Sequence, residues 1–260
     1  MTMVMRTCAC VAFLLLHPLL GAPAFSQGQP EPTPLPLLNA GEPIEDLPST
    51  MFPPTSAFVG KLEVTINNIP RRCTATFIDS NVLLTAAHCV QENGTTTRYP
   101  IVKFTQEGGG VFNVNSKCVY VPSEWAQVTD KYFRIRHDYA FLKTATAVTG
   151  NPKDIFIGNA YRTWVTLLGY PAGGVLTALS AETQEDVLHP DPLVSVRTPQ
   201  LAFAEGTSGG PWVRDSGGQI LSVNSTFAIG VYDKTYMRIY GPTFDQSAVV
   251  LRNNAKNCTL

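Results

Sequence analysis

Charged side chains are scarce in this sequence. Lysine, arginine, aspartate and glutamate make up only 15% of the 260 residues, and the formal net charge is −1. This balance provides no basic surface for nucleic acid, so no nucleic acid partner is expected. Glycine and proline are abundant at 20 residues each, which indicates many turns and favours an all-β protein over a helical one.

The sequence also lacks the cysteine and histidine spacings that bind metals and, after the first 26 residues, any apolar run that could span a membrane. The sequence contains no C-x-x-C pair and no pair of histidines with three to five residues between them, so we expect no zinc site and no other metal or cofactor. After residue 26, no apolar run approaches the roughly 20 residues that a spanning helix needs. We therefore expect no membrane anchor in the mature form.

The first 26 residues are typical of a secretory signal peptide. Arg6 supplies a positive charge, residues 8–16 begin an apolar stretch, and residues 22–24 match a small-residue cleavage pattern. A membrane anchor is the alternative interpretation, but this apolar stretch is too short to span a bilayer. We expect a signal peptide at 1–26 and a secreted product, either extracellular or periplasmic.

The segment after the signal peptide is rich in proline. Residues 27–55 hold eight of the 20 prolines. Proline fixes φ and removes a backbone donor, so this segment is not expected to join a sheet. We predict a leader or propeptide at 27–55 and a folded domain at 56–260.

The cysteines that remain after removal of the signal peptide are even in number. Cys8 and Cys10 leave with the signal, and the four that stay are Cys73, Cys89, Cys118 and Cys258. In an exported chain this count predicts two disulfides, with three connectivities open.

From residue 57 the sequence alternates short apolar runs with turn residues. No helical crossovers separate these runs, which argues against a parallel α/β sheet. The one predicted helix covers about residues 245–256. The predicted strands are 57–66, 73–77, 82–85, 101–104, 111–121, 139–142, 162–169, 193–198, 212–213, 220–223 and 228–231.

The most informative segment surrounds Ser208, which lies among glycines at 206, 209 and 210. A tight glycine-rich turn can present the serine hydroxyl and leave backbone N–H groups to hold an oxyanion. Serine is a weak nucleophile and needs an adjacent base. The segment also matches the G-x-S-x-G elbow of α/β-hydrolases, but that family needs a histidine after the serine, and none follows Ser208.

An upstream base is offered by His88 in the segment Thr85-Ala86-Ala87-His88-Cys89, which follows an apolar strand. TAAHC followed downstream by GTSGGP resembles the trypsin-like serine peptidases, and more closely their secreted bacterial, V8-type branch, which includes the glutamyl endopeptidases. The resemblance covers about residues 57–250. It implies a chymotrypsin-like fold of two packed six-stranded antiparallel Greek-key β-barrels with a C-terminal helix.

The same resemblance assigns the acid of the triad. Its position lies between His88 and Ser208, before an apolar strand, where Asp138 opens the run Asp138-Tyr139-Ala140-Phe141-Leu142. A buried carboxylate there would fix the histidine tautomer and stabilise the imidazolium. The competing acids lie in predicted loops and are Asp130, Asp154, Asp186 and Asp191.

Two further features are implied by the resemblance alone. Cys73 is expected to pair with Cys89, which leaves Cys118 to pair with Cys258. The N–H groups of Gly206 and Ser208 are expected to donate to the oxyanion.

The sequence departs from many animal members of this family in two places. Thr207 precedes the nucleophile, where those enzymes carry an aspartate that pairs with a newly cut N-terminus. Ala202 occupies the pocket floor and supplies no carboxylate for a substrate lysine or arginine. With Phe203, Asn224 and Ser225 as the other expected pocket residues, we predict an uncharged, apolar residue on the acyl side of the scissile bond, with glutamate as the second choice.

These features predict a secreted, monomeric serine endopeptidase that hydrolyses protein or peptide substrates through an acyl-enzyme. The alternative is a non-catalytic serine-protease homologue that acts as a binding protein. Such homologues usually lose a triad member, whereas this sequence keeps His88, Asp138 and Ser208.

Overall fold

A computed structural model describes residues 53–128, 130–171, 174–185, 193–198, 203, 205–229 and 237–259. The predicted signal peptide and nearly all of the predicted leader lie outside these residues, as do Ala202 and His189. The described chain is mainly strand. No helix in this part of the chain is long and apolar enough to cross a membrane.

The first barrel is an antiparallel sheet of seven strand segments in the order β5-β4-β1-β2-β3-β7-β6. Segments β5 and β6 are separated only by Asn113, so they continue one another and join the two edges of the sheet. The result is a closed barrel of six strands with the Greek-key order β4-β1-β2-β3. Its segments are β1 Val59–Ile66, β2 Ile69–Asp79, β3 Val82–Thr85, β4 Ile101–Gln106, β5 Val111–Phe112, β6 Val114–Tyr120 and β7 Ala140–Thr144.

The second barrel is formed by two four-stranded sheets, β10-β11-β15-β14 and β13-β12-β8-β9. Segment β9 continues into β10 across Thr183, and β13 continues into β14 across Asn224 and Ser225, so the two sheets close into a second six-stranded ring. The segments are β8 Trp164–Gly169, β9 Thr177–Glu182, β10 Gln184–Glu185, β11 Leu193–Thr198, β12 Pro211–Arg214, β13 Ile220–Val223, β14 Thr226–Ile229 and β15 Met237–Pro242. The expected chymotrypsin-like architecture is confirmed.

Three apolar clusters hold this architecture together. One fills the first barrel, where Phe77 and Phe104 meet edge to face at 5.3 Å between ring centroids. Another fills the second barrel around the fully buried Trp212. The third combines residues from both barrels, including Leu84 and Leu168, and so packs one barrel against the other. This burial removes apolar surface from water and is the main force that holds the two barrels together.

Three α-helices lie outside the barrels, and their bounds are α1 Ser123–Gln127, α2 Lys131–Ile135 and α3 Gln246–Asn257. Helix α3 confirms the predicted C-terminal helix. The Asp245 carboxylate caps it by accepting from the N–H groups of Ser247 and Ala248. At the other end, the Lys143 ammonium donates to the carbonyl oxygens of Lys256 and Cys258, at 2.9 and 2.6 Å.

Both disulfides are present in the structure. Cys73 on β2 is bonded to Cys89, with Cα atoms 6.2 Å apart. Cys118 on β6 is bonded to Cys258, with Cα atoms 5.9 Å apart, and so attaches the end of α3 to the first barrel.

Several strand predictions differ from the structure. The predicted strand 111–121 is interrupted at Asn113, and the predicted strand 162–169 begins only at Trp164, because Arg162 has a left-handed φ of 53°. Strands β9, β10 and β15 were not predicted, nor were α1 and α2. The predicted strand 228–231 corresponds to β14, which begins two residues earlier, and its last two positions lie outside the described residues.

Candidate active site

His88 is placed by a strand, a short helix and a disulfide. Strand β3 is buried along its whole length and ends at Thr85, after which Ala87–Cys89 form a 3₁₀ helix. The bond from Cys89 to Cys73 attaches this helix to the neighbouring strand β2. The His88 side chain remains 29% exposed. It is therefore fixed at its base and accessible at its tip.

Asp138 meets His88 because β3 and β7 are antiparallel neighbours. Thr85 pairs with Ala140 in this ladder, so the residues just after β3 lie beside the residues just before β7. The Asp138 Oδ2 atom lies 2.7 Å from the His88 Nδ1 atom, and Oδ1 accepts from the His88 backbone N–H at 2.9 Å. Asp138 is only 2% exposed, so its carboxylate is shielded from water.

A third donor reaches the same carboxylate. The Ser225 hydroxyl donates to Asp138 Oδ2 across the junction between β13 and β14. Burial lowers the pKa of His88, but the negative charge of Asp138 and its hydrogen bond to the ring raise it more, and the pKa lies above its usual value. The fixed carboxylate therefore stabilises the imidazolium that forms when His88 takes a proton.

Ser208 lies in a loop whose backbone conformation requires glycine at two positions. Gly206 and Gly209 have positive φ angles of 88° and 80°. A Cβ atom on Gly209 would collide with the Thr85 hydroxyl and with the backbone carbonyl of Thr74. The glycines that flank the serine are thus required by backbone geometry and by the close approach of the first barrel.

Thr74 on β2 holds this loop from the side of the first barrel. Its backbone N–H donates to the Ser208 carbonyl at 2.8 Å, and its hydroxyl donates to the Gly206 carbonyl at 2.9 Å. The same hydroxyl accepts from the Tyr170 N–H at 3.1 Å. Thr74 is fully buried, so these contacts do not compete with water.

Asn224 holds the loop from the side of the second barrel. Its side-chain amide donates to the Thr207 carbonyl at 3.0 Å, and its side-chain oxygen accepts from the Trp212 indole at 2.7 Å. Its backbone carbonyl accepts from the Gly209 N–H at 2.7 Å. Two buried side chains from different barrels therefore fix the conformation around Ser208.

The loop also carries unused backbone donors. Within the described part of the chain, the N–H groups of Gly206 and Ser208 donate to no protein acceptor, whereas the Gly209 and Gly210 N–H groups are both engaged. Two such neighbouring donors are suited to an anionic oxygen.

His88, Gly206 and Ser208 line one cavity of about 670 Å³. Between the described atoms, no hydrogen bond links the Ser208 hydroxyl to the His88 ring. Catalytic hydrogen bonds are commonly loose before substrate binds and tighten in the Michaelis complex. His88, Gly206 and Ser208 thus share one cavity, although the serine hydroxyl and the imidazole ring are not hydrogen-bonded to each other.

The residues that sequence analysis assigned to a substrate pocket have other contacts here. Phe203 is 2% exposed and packs in the core of the second barrel. Asn224 lies beneath the Ser208 loop, and the Ser225 hydroxyl binds Asp138. Ala202 lies outside the described residues, so the pocket assignment stays a prediction.

The competing acids of the described chain lie elsewhere. Asp154 pairs with Arg252 on α3, and Asp130 accepts from the Phe133 N–H at the start of α2. Asp186 and Asp191 lie outside the described residues. Cys73 and Cys89 lie close to His88, but their sulfur atoms are bonded to each other and are not thiolate ligands for a metal.

The two closed barrels, with a buried Asp–His pair beside a glycine-rich serine loop, define the class of chymotrypsin-like proteins. The family described as "trypsin-like peptidase domain" matches residues 73–223, which is more than half of the chain. The chain belongs to this family. Its family and fold support a serine protease that acts on proteins or peptides.

Solved structures share the fold at low sequence identity. A thermostable serine protease, AL20, from an extremophilic microorganism is 20% identical with a TM-score of 0.63, covering 79% of this chain and 100% of its own. The protease Anisep from Arthrobacter nicotinovorans is 21% identical with a TM-score of 0.61, over 77% and 96% of the two chains. A Glu endopeptidase in complex with MPD is 20% identical with a TM-score of 0.62, over 82% and 95%. No curated protein matches the sequence significantly.

Proposed function

We propose that the chain is a secreted serine endopeptidase with Ser208 as nucleophile, His88 as general base and Asp138 as orienting acid. The observation that carries this proposal is the position of His88, which binds the buried Asp138 through Nδ1 and lines the same cavity as Ser208. Nδ1 is occupied by the carboxylate, so Nε2 is the ring nitrogen left to take a proton.

Acylation begins when His88 Nε2 removes the Ser208 hydroxyl proton and Oγ bonds to the scissile carbonyl carbon. The carbonyl oxygen becomes an oxyanion, which the N–H groups of Gly206 and Ser208 stabilise. Asp138 stabilises the imidazolium without taking its proton. When the tetrahedral intermediate collapses, the C–N bond breaks and the imidazolium gives its proton to the leaving amine.

Deacylation repeats these roles with water. His88 removes a proton from water, the hydroxide adds to the ester carbon, and the second intermediate expels the Ser208 oxygen. The imidazolium returns the proton to that oxygen, so the enzyme is regenerated and the substrate gains one water across its peptide bond. Each of these groups comes from the same chain, so a monomer is sufficient.

Thr207 cannot form an ion pair with an N-terminal amine, because its side chain is neutral. Thr207 is buried at 3% exposure and carries no charge to attract an amine. Thr74 and Asn224 supply the contacts that fix the loop instead. We propose that activity does not depend on one particular new N-terminus. The leader at 27–55 is either removed by cleavage or acts as an inhibitory propeptide that blocks the site.

For the acyl side of the substrate, we propose an uncharged, apolar residue with glutamate second. The four predicted pocket residues, Ala202, Phe203, Asn224 and Ser225, carry no charge. In such a pocket, a substrate lysine or arginine would lose its hydration without a counter-ion. The second choice rests on the resemblance to the V8-type branch.

Secretion is part of the same proposal. The sequence begins with the features of a signal peptide at 1–26, and two disulfides are typical of proteins that fold in an oxidising compartment.

A protein-cleavage assay tests the proposal. The purified protein should hydrolyse unfolded casein, and Ser208→Ala should abolish this activity while leaving the fold intact. Ser116→Ala is the matched control, because Ser116 is an exposed serine on β6 that does not line the cavity. Stable binding of peptides without any cleavage would contradict the proposal and favour the non-catalytic homologue.

A further inference from the structure

One wall of the Ser208 cavity is basic. The antiparallel hairpin of β1 and β2 contributes Lys61, Arg71 and Arg72 to its lining. Arg71 and Arg72 are exposed, and among the described residues neither forms an ion pair. The Lys61 ammonium lies 4.9 Å from the centre of the Tyr170 ring, so its side chain is held against this wall.

The acidic residues of the cavity do not neutralise this wall. Glu63 lies 3.6 Å from the Lys103 ammonium and is paired with it. Glu205 is the other carboxylate that lines the described cavity. The described lining thus holds three cations and two acids, a net of +1, in a chain whose net charge is −1. The concentration of positive charge is local to the site.

The strand that carries Arg71 and Arg72 also contacts the loop of the proposed nucleophile. The Thr74 N–H on β2 donates to the Ser208 carbonyl at 2.8 Å. A strand rises about 3.3 Å per residue, so Arg72 and Arg71 lie roughly 7 and 10 Å along β2 from that contact. These distances correspond to the second and third residues of an extended peptide bound across the site.

The position of a second cavity indicates which part of the substrate contacts the basic wall. A second cavity, which His88 also lines, is bounded by Asp138, Ser225 and Thr226 at the start of β14. The resemblance assigns Asn224 and Ser225, which lead into β14, to the acyl side. The basic wall therefore lies on the opposite, leaving-group side, beside the Cys73–Cys89 disulfide.

We infer that the enzyme prefers substrates with aspartate or glutamate within the first three residues after the scissile bond, recognised by Arg71 and Arg72. This inference rests on the proposed peptidase function. Both guanidinium groups are exposed, so each acidic contact raises kcat/KM modestly, by about 1.4- to 5-fold. Two contacts together give roughly a fivefold preference in kcat/KM.

Matched fluorogenic peptides test the inference. The peptides should share one acyl-side sequence and carry either Asp-Glu or Asn-Gln at the second and third leaving-group positions. The wild type should favour the acidic peptide about fivefold at low salt, and less at high salt, because ions screen exposed charges. Arg71→Ala/Arg72→Ala should abolish the preference, and Arg71→Glu/Arg72→Glu should reverse it.

Two controls separate the inference from the proposed function. Lys117→Ala removes an exposed cation on β6, outside the cavity, and should keep the preference. A p-nitrophenyl ester has no leaving-group residues, so its hydrolysis should be equal in wild type and in every variant. Normal ester hydrolysis with equal rates on the acidic and neutral peptides would overturn the inference alone. Absence of ester and peptide hydrolysis would instead overturn the proposed function.

Discussion

The substitution Thr74→Val tests whether the first barrel fixes the Ser208 loop. Valine keeps the shape of the threonine side chain and removes its hydroxyl. That hydroxyl donates to the Gly206 carbonyl at 2.9 Å and accepts from the Tyr170 N–H at 3.1 Å. The backbone contact from Thr74 to Ser208 is retained, so the change is confined to these two bonds.

The expected loss follows from the environment of the two partners. The Tyr170 N–H is buried, and leaving it unpaired costs about 1–3 kcal/mol. The Gly206 carbonyl is partly accessible, so its loss is smaller, about 0.5–1.5 kcal/mol. We expect the free energy of unfolding to fall by about 2–4 kcal/mol. Displacement of the oxyanion donors should lower kcat/KM by about 10- to 100-fold.

The assay combines urea unfolding with peptide hydrolysis per active site. Thr76→Val is the matched control, because Thr76 is buried on the same strand but its hydroxyl makes only 3.4 Å contacts, to the carbonyls of Phe58 and Phe77. It should lose under about 1 kcal/mol and retain full activity. Wild-type activity in Thr74→Val, or equal losses in both variants, would refute the role assigned to Thr74.

Five other outcomes follow from the site. Ser208→Ala and His88→Ala should each remove most activity, and steady-state kinetics of the double variant should show little further loss, since the residues act together. Asp138→Asn should lower kcat by about 10⁴. Because Asp138 raises the pKa of His88 and the neutral ring is the active base, the acid limb of a kcat/KM pH profile should lie above about 6.5, and an acid limb below that value would contradict this. More than one variant that begins within 27–55 should be active; a single active start whose acetylation abolishes hydrolysis would show otherwise. Peptides with leucine, phenylalanine or alanine on the acyl side should exceed those with arginine, and a glutamate peptide that leads more than about tenfold, some 1.4 kcal/mol, would show that the proposed pocket is wrong.

The barrel architecture was predicted from the family resemblance, whereas single strands and the C-terminal helix were predicted from local signals. The buried strand β3 and the capped helix α3 follow directly from an apolar run and from Asp245 before an amphipathic segment. Strand β9, with the sequence TALSAE, has only Thr177 from the β-branched and aromatic residues that predict a strand. It is a strand because it pairs with β8, a contact that no local pattern reveals.

The candidate site likewise contains residues that local motifs predicted and residues that they did not. The motifs around His88 and Ser208 are continuous in the sequence, and the chain order alone excluded the α/β-hydrolase arrangement. The roles of Thr74 and Asn224 were missed, because Thr74 contacts Gly206, 132 positions away, and no local pattern links Asn224 to the Thr207 carbonyl, 17 positions away. The resemblance assigned Asn224 to the substrate pocket; its side chain lies beneath the Ser208 loop, and the pocket assignment stays a prediction.

Covalent labelling of Ser208 tests the central claim most directly. A sulfonyl fluoride should react with one hydroxyl per molecule, and mass mapping of the digested protein should locate the adduct on Ser208. The reaction should become at least about a hundredfold slower in His88→Ala, because general-base assistance contributes ~10²–10⁴-fold. An unlabelled Ser208, or labelling at the same rate without His88, would contradict the account.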